Sequence, residues 1–373
     1  MLAVNGTEND PGMHRTVCGD RPCRPGEGNL KGYGQWRQPY PDHGVKKTVS
    51  KHMPGWARGS PFPVEAYSAV VSTAKQVERD GLVVATVADF DYRYLALNWF
   101  RAAAAAGVTN HFVHSLDGET FGFLRNRQVP SSNGTDTMLA WTTGRLSRHI
   151  QRAHGEKFMA ALALVQRGLD VLMMDCTWVI MKNPIPFFRI TSPVAEILAM
   201  RNGCNRKGSS LPGGCELGWN LVYYRGASSP EGRAHILDFM QRGMMMGMGD
   251  FYLRWYAGHH CMENGIRKGY AALAPQLGDA QASTDDPNQN TVISFRKLPG
   301  LRLAMLRDDL FPAPGSWPTT KQVALVGRSN RPYANNQPTH RLRLDRYDDV
   351  DFEQLREKMV ADGLWVLAGT ESY

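Results

Sequence analysis

The sequence predicts an α/β fold with a mostly parallel sheet flanked by helices, and three observations carry that prediction. Apolar strand-like runs alternate with helix-forming runs, and a glycine stands where each early helix should stop. A buried-looking run from Gly168 to Phe188, GLDVLMMDCTWVIMKNPIPFF, is interrupted in its apolar course by Asp175. A carboxylate inside such a run is costly to bury, so it belongs where a strand emerges into a ligand crevice.

Residues 1 to about 65 are rich in Gly, Pro, Arg and Asn without periodicity. They read as an extended, partly disordered tail, and the boundary is placed so that 1–79 is tail and 80–373 one domain. LVVATV from Leu82 is a β-branched run, Ala88 to Arg93 a polar-aromatic loop, and Tyr94 to Ala106 a strong helix former closed by Gly107. His111 to Leu116 is the next strand, which makes a right-handed βαβ unit. The grammar repeats: Arg145 to Gln166 carries Leu146, Ile150, Phe158, Leu162 and Val165 near helical spacing, Gly168 stops it, and Asp170 to Met174 is a strand.

Further on, AEILAM fits a short strand or a helix, Asn220 to Arg225 a strand, and Ala234 to Met248 a helix whose Met cluster reads as core filler. Leu301 to Leu306 and Val323 to Gly327 are strand-like, and Phe352 to Ala361 is an amphipathic helix.

The formal charge of +8 favours anionic partners such as phosphorylated cofactors. Lys and Arg are scattered rather than gathered into an arm, so nucleic acid is not expected as a partner. Six cysteines are too few for a disulfide scaffold at 373 residues, although Cys204 and Cys215 share a Gly-rich loop and form the first pair to test. Cys18 and Cys23 make at most half a zinc site. Asn5-Gly6-Thr7 and Asn133-Gly134-Thr135 are glycosylation sequons. No stretch reaches the ~18 apolar residues of a membrane span, so membrane association is expected only through an anchor missing from this chain.

In an extended strand Asp175 and Thr177 project to one face and Cys176 to the other. A carboxylate beside a hydroxyl suits a hard cation, Mg²⁺ or Mn²⁺. MMDCTWVIMKNPIPFF resembles the region around the Asp-x-Asp motif of the plant and algal nucleotide-diphospho-sugar transferases, which include cell-wall xylosyltransferases and arabinosyltransferases; Lys182-Asn183-Pro184 fits its ending. LVVATVADFDYRYLALNWFRAAAAAGVTNHFVHSLD is similar to the opening strand, loop, Asn-Trp-bearing helix and strand of that family. GWNLVYYRGA resembles its Tyr-rich strand ending in Arg, and DDPNQN a disturbed version of its Asp-Gln segment. The resemblance runs over roughly residues 80 to 320, with Thr177 where the family has its second aspartate.

The resemblance implies a GT-A-like, Rossmann-type fold that binds a nucleoside-diphosphate sugar, with a divalent cation bridging the diphosphate. It places Asp89, Asp91 and Tyr92 against base or ribose, where an Asp capping a helix start is the structural alternative. It sets Lys157 at a phosphate and makes Asp175, Thr177 and His340 the metal ligands. Trp219, Asn220, Asp286 and Gln289 would contact donor or acceptor sugar, though Trp219 reads equally as core. His259-His260-Cys261 lacks metal-pair spacing.

The function this implies is a glycosyltransferase that moves a sugar to a carbohydrate or glycoprotein acceptor with retention of configuration, in the Golgi or secretory lumen. No residue stands out as the nucleophile. The alternative is an inactive relative of the same fold that binds carbohydrate or nucleotide sugar.

Overall fold

The computed structural model describes residues 64–90, 92–137, 149–201 and 217–240, shorter stretches between 280 and 311, residues 325–327, several positions of 357–367, and two short strands at 17–18 and 21–22. The first βαβ unit forms as its composition dictates. Strand β1 spans Leu82–Ala88, helix α2 Arg93–Ala105 and strand β2 His111–Ser115. It is preceded by a 3-10 turn at Val64–Tyr67 and helix α1 at Ser68–Val77. Gly107 after α2 has φ 81° and Gly168 after the later helix has φ 78°. Both take the left-handed conformation that closes a helix without a Cβ penalty.

Helix α3 (Gly118–Arg125) leads to the short strand β3 (Ser131–Asn133). Helix α4 (His149–Gln166) then feeds strand β4 (Asp170–Asp175), and a two-residue turn connects it to β5 (Trp178–Ile180). Helix α5 (Ile185–Ile190) starts directly behind Pro184, where a missing N–H is harmless. AEILAM resolves as a strand, β6 (Ile197–Arg201), followed by β7 (Leu217–Arg225) and a helix over 230–240. Strands β8 (Ala280–Ser283), β9 (Thr291–Phe295), β10 (Leu298–Leu306) and β11 (Leu325–Gly327) complete the described strands of the domain.

Nine of these strands form one sheet in the order β8-β9-β10-β6-β7-β4-β1-β2-β3. All run parallel to β1 except β7 and β9, so the sheet is mostly parallel in direction. The chain proceeds from β1 outward to β2 and β3, then returns through α4 to place β4 on the other side of β1. That reversal between β1 and β4 is the switch point where a doubly wound sheet opens a crevice at its carboxyl ends. The remaining two strands, β11 and β5, pair antiparallel beside it.

Both sheet faces are covered. Val83, Ala85 and Val87 of β1, with Val171 and Met173 of β4, pack beneath α1 and α4. Leu82, Val84, Leu172 and Met174 point the other way, into a core built with α2. Every residue of β1 is buried, and each large aliphatic side chain so placed contributes about 1.5–3 kcal/mol. Helix α1 lies within the stretch assigned to the tail by composition, yet Tyr67, Val70 and Ala74 are buried in this same core. Of α4, residues 156 to 165 are buried without interruption, so it is an interior helix rather than the one-sided amphipathic helix its spacing suggests.

Candidate functional site

The crevice is built from the residues that end β1, β2 and β4. Val87 of β1 pairs with Asp175 of β4, so Asp89, two residues on, and Asp175 leave the sheet side by side. Asp175 is the last residue of its strand, as the cost of burying it requires. Cys176 and Thr177 form the turn that follows, so strand alternation does not set the direction of Thr177: the extended backbone has ended one residue too early.

Lys157 supplies the cation. It sits on α4 with its side chain 4% exposed, and its ammonium donates to Oδ1 of Asp175, itself 19% exposed, in an ion pair. The nominated phosphate ligand and the nominated metal ligand are therefore each other's partner. Next to Asp175, Cys176 is buried, and that burial, reinforced by the charges of Asp175 and Asp89, pushes its thiol far above the ordinary range. It stays a neutral, unreactive thiol.

Asp89 is 3% exposed, and its Oδ1 accepts a hydrogen bond from the Tyr92 backbone N–H at 3.3 Å. That bond orders the loop ahead of α2, whose N-cap position is held by Tyr92 and not by Asp89. Asp117 adds a tie that the sequence reading missed. Its carboxylate accepts from the Thr120 N–H at 2.7 Å, capping α3, and from the Phe90 N–H at 2.9 Å. One side chain thereby fixes both loops at the carboxyl ends of β1 and β2. The signal was available, since Asp117 stands directly before a helix-forming run. Phe90, which that tie positions, leaves its ring 38% exposed, with the Arg93 guanidinium 3.7 Å from the ring centroid.

A second polar cluster lies deeper. Glu156, next to Lys157 on α4, is fully buried, with Oε2 3.7 Å from Nε2 of the equally buried His114. The Thr137 hydroxyl bonds to Glu156 Oε1 and His114 Nδ1 pairs with the Ser132 hydroxyl at 2.9 Å. Adjacent residues on one helix thus anchor two buried polar contacts, one toward β2 and β3, the other toward β4. Nothing in the spacing announces this, because a Glu-Lys pair on a helix ordinarily faces water.

Of the other nominated residues, Asp91, His340, Asp286 and Gln289 lie outside the described residues, as do Cys204 and Cys215. For Trp219 and Asn220 the backbone has meaning. Met174 pairs with Leu221, so Asn220 and Trp219 continue past the last paired position at the Asp175 end. The β6–β7 register also shifts there, Ala199 facing Val222 and Met200 facing Gly218. Three residues of β7, 219 to 221, thus stand without a partner position in β6, an interruption of the ladder at the Asp175 end. Arg225 is elsewhere: its guanidinium donates to the carbonyls of Ser192, Ala195, Phe188 and Thr191 at the end of α5, a structural clamp distant from the carboxyl end of β4.

The residues present do not fit a divalent cation. No group of three or more His, Cys, Asp or Glu that could hold a metal occurs among the described residues. One oxygen of Asp175 is held by Lys157, and Asp89 beside it already accepts from the Tyr92 N–H. An ammonium and a divalent ion sharing one carboxylate stand on the order of 4 Å apart and repel by about 8 kcal/mol at an effective dielectric of ~20. Thr177 offers no charge to offset that.

Among solved structures, the chain is similar to the WbbM bifunctional glycosyltransferase at 10% identity, over 51% of this chain and 38% of that one, with a TM-score of 0.34. It is also similar to the glycosyltransferase GlyE of Streptococcus pneumoniae at 10% identity, over 77% of this chain and 66% of that one, with a TM-score of 0.27. The chain therefore spans less than two thirds of either. Comparison with curated proteins gives no match. The model of the nucleotide-diphospho-sugar transferase family matches residues 106–211, from the end of α2 through β2, α4 and β4 to β6. Lys157, Asp175 and Thr177 thus lie within the span that matches the model of the nucleotide-diphospho-sugar transferase family, the family that the sequence itself resembles.

Proposed function

We propose that the chain is a glycosyltransferase that takes a sugar from a nucleoside-diphosphate donor and attaches it, with retention, to a glycan or glycoprotein acceptor. The observation that carries the proposal is the meeting of Asp89, Asp175 and Lys157 at the β1–β4 switch point, the place where an α/β sheet receives a nucleotide. Base and ribose lie against the 88–92 loop, with Asp89, Asp91 and Tyr92 in reach and the exposed Phe90 ring as a stacking face. The diphosphate lies toward Lys157. Donor sugar and acceptor take the side of the β7 interruption, with Trp219 and Asn220 and, from the later loop, Asp286 and Gln289.

In the reaction, the bond between the anomeric carbon and the diphosphate oxygen breaks, and the diphosphate keeps the electron pair. The acceptor hydroxyl oxygen bonds to that carbon and gives up its proton. Positive charge beside the leaving diphosphate lowers the barrier. The family resemblance supplies both the expectation of retention and the secretory-lumen setting; no described helix is long and apolar enough to cross a membrane. The resemblance would put a divalent cation at Asp175 and His340, and the pairing of Asp175 with Lys157 argues against it.

A thermal-shift panel of UDP, GDP, CDP and their sugars tests the proposal. A nucleotide present at about 100 times its Kd stabilises the fold by about 2.7 kcal/mol and raises Tm by several degrees. No shift with any nucleotide sinks the reading. One observation favours a second reading: Thr177 in place of an aspartate leaves the site short of charge. Binding of a nucleotide sugar without release of nucleoside diphosphate, across a panel of glycan acceptors, identifies a non-catalytic binder.

A further inference from the structure

The ion pair at the end of β4 has a consequence for how the donor is held. We propose, building on the glycosyltransferase reading, that Lys157 stands where a divalent cation would act, so that the site binds a nucleoside diphosphate without metal. Three observations converge. The Lys157 ammonium rests on the Asp175 carboxylate, both at the switch point. The position two residues after Asp175 is Thr177, in a turn, neutral and not on the strand. Lys157 is held in place by an interior helix whose residues 156 to 165 are all buried, which leaves its charge little freedom to withdraw into solvent.

The ion pair is net neutral, so it offers a second cation only a carboxylate already shared with an ammonium, and it holds an anion only as the ammonium turns from Asp175 to the phosphate. Asp175 then acts as a positioning residue: it holds the Lys157 ammonium aimed rather than ligating anything itself. Asp175 is 19% exposed against 4% for Lys157, so the carboxylate is the more open member of the pair. An incoming diphosphate therefore competes with that carboxylate for the ammonium protons. Weakening Asp175 should free the ammonium for phosphate, the opposite of what a metal ligand would do.

Isothermal titration calorimetry of the full chain with UDP, GDP and CDP, in EDTA and in MnCl2, tests this without needing turnover. The expected result is equal affinity in both buffers, within about twofold. Lys157→Met should weaken binding by about tenfold or more in both, while Asp175→Asn should retain it. Lys157→Arg keeps the charge and guards against a Lys157→Met chain that fails to fold, with circular dichroism as the check. It should bind independently of metal, and the wild-type comparison requires no variant at all. Binding that tightens about tenfold or more with Mn²⁺, or that Asp175→Asn abolishes while Lys157→Met preserves, overturns the proposal and leaves the glycosyltransferase reading standing. Absence of binding to every nucleoside diphosphate in both buffers overturns the two together.

Discussion

His111 shows how one side chain sets a pH limit on the fold. It is 4% exposed, stacked 4.2 Å from Phe100, and its Nε2 donates to the Phe100 carbonyl at 3.0 Å. Burial pulls its pKa down from 6.5 to about 4, against the upward pull of that carbonyl. The unfolded chain therefore takes up a proton that the folded chain refuses. The contribution is intact above pH 6.5 and is lost as pH falls toward 4, about 3 kcal/mol in all. Urea midpoints should fall over that window, and His111→Gln should flatten this part of the decline. Arg225 makes a second residue-scale case, since desolvation lowers its pKa and its guanidinium satisfies four carbonyls around the end of α5. Arg225→Ala removes all four donations at once, leaving the Ser192 carbonyl with the Ala195 N–H. A loss of about 3 kcal/mol or more is expected in urea unfolding, with Arg225→Lys recovering part of it.

At the scale of elements, close approach decides what the sequence leaves open. Gly226 ends β7 where a Cβ would stand 2.2 Å from the Leu169 carbonyl oxygen and 3.1 Å from the Val165 Cα. Both obstacles are backbone, so neither yields cheaply. Gly226→Ala should cost about 1–3 kcal/mol or more by forcing β7 away from the α4–β4 turn, measurable as a shift of the denaturation midpoint at unchanged m-value. β7, read correctly as a strand, pairs antiparallel between β4 and β6. Strand type follows from β-branched and aromatic composition, whereas direction follows from where the chain must return. Helix α2 gives a parallel lesson. Its Asn98, part of the Asn-Trp feature on which the resemblance rests, is fully buried and accepts from the Val366 N–H at 2.7 Å. That side chain ties the last residues of the chain to the first βαβ unit, and no local pattern announces a partner 268 positions away.

For the molecule as a whole, the order β3-β2-β1-β4 with β7 reversed beside β4 fixes one crevice at the carboxyl ends of the central strands. The donor-binding panel is the test at this scale, because only the assembled sheet brings Asp89 and Asp175 together. The alternation of strand and helix, the glycines that stop α2 and α4, and Asp175 at the mouth of a strand were all legible, since each follows from local propensity or from the cost of burying a charge. Lys157 was legible as a residue of interest, but its engagement with Asp175 was not. Eighteen residues separate them, and pairing at that distance depends on α4 being buried against β4. The Glu156–His114 contact and the Asp117 tie were hidden for the same reason. The sequence by itself determined the kind of fold and the family-like pattern around Asp175. Tertiary structure alone decided which charge neutralises that carboxylate, because helix periodicity marks which residues can face a strand while only packing selects the one that does.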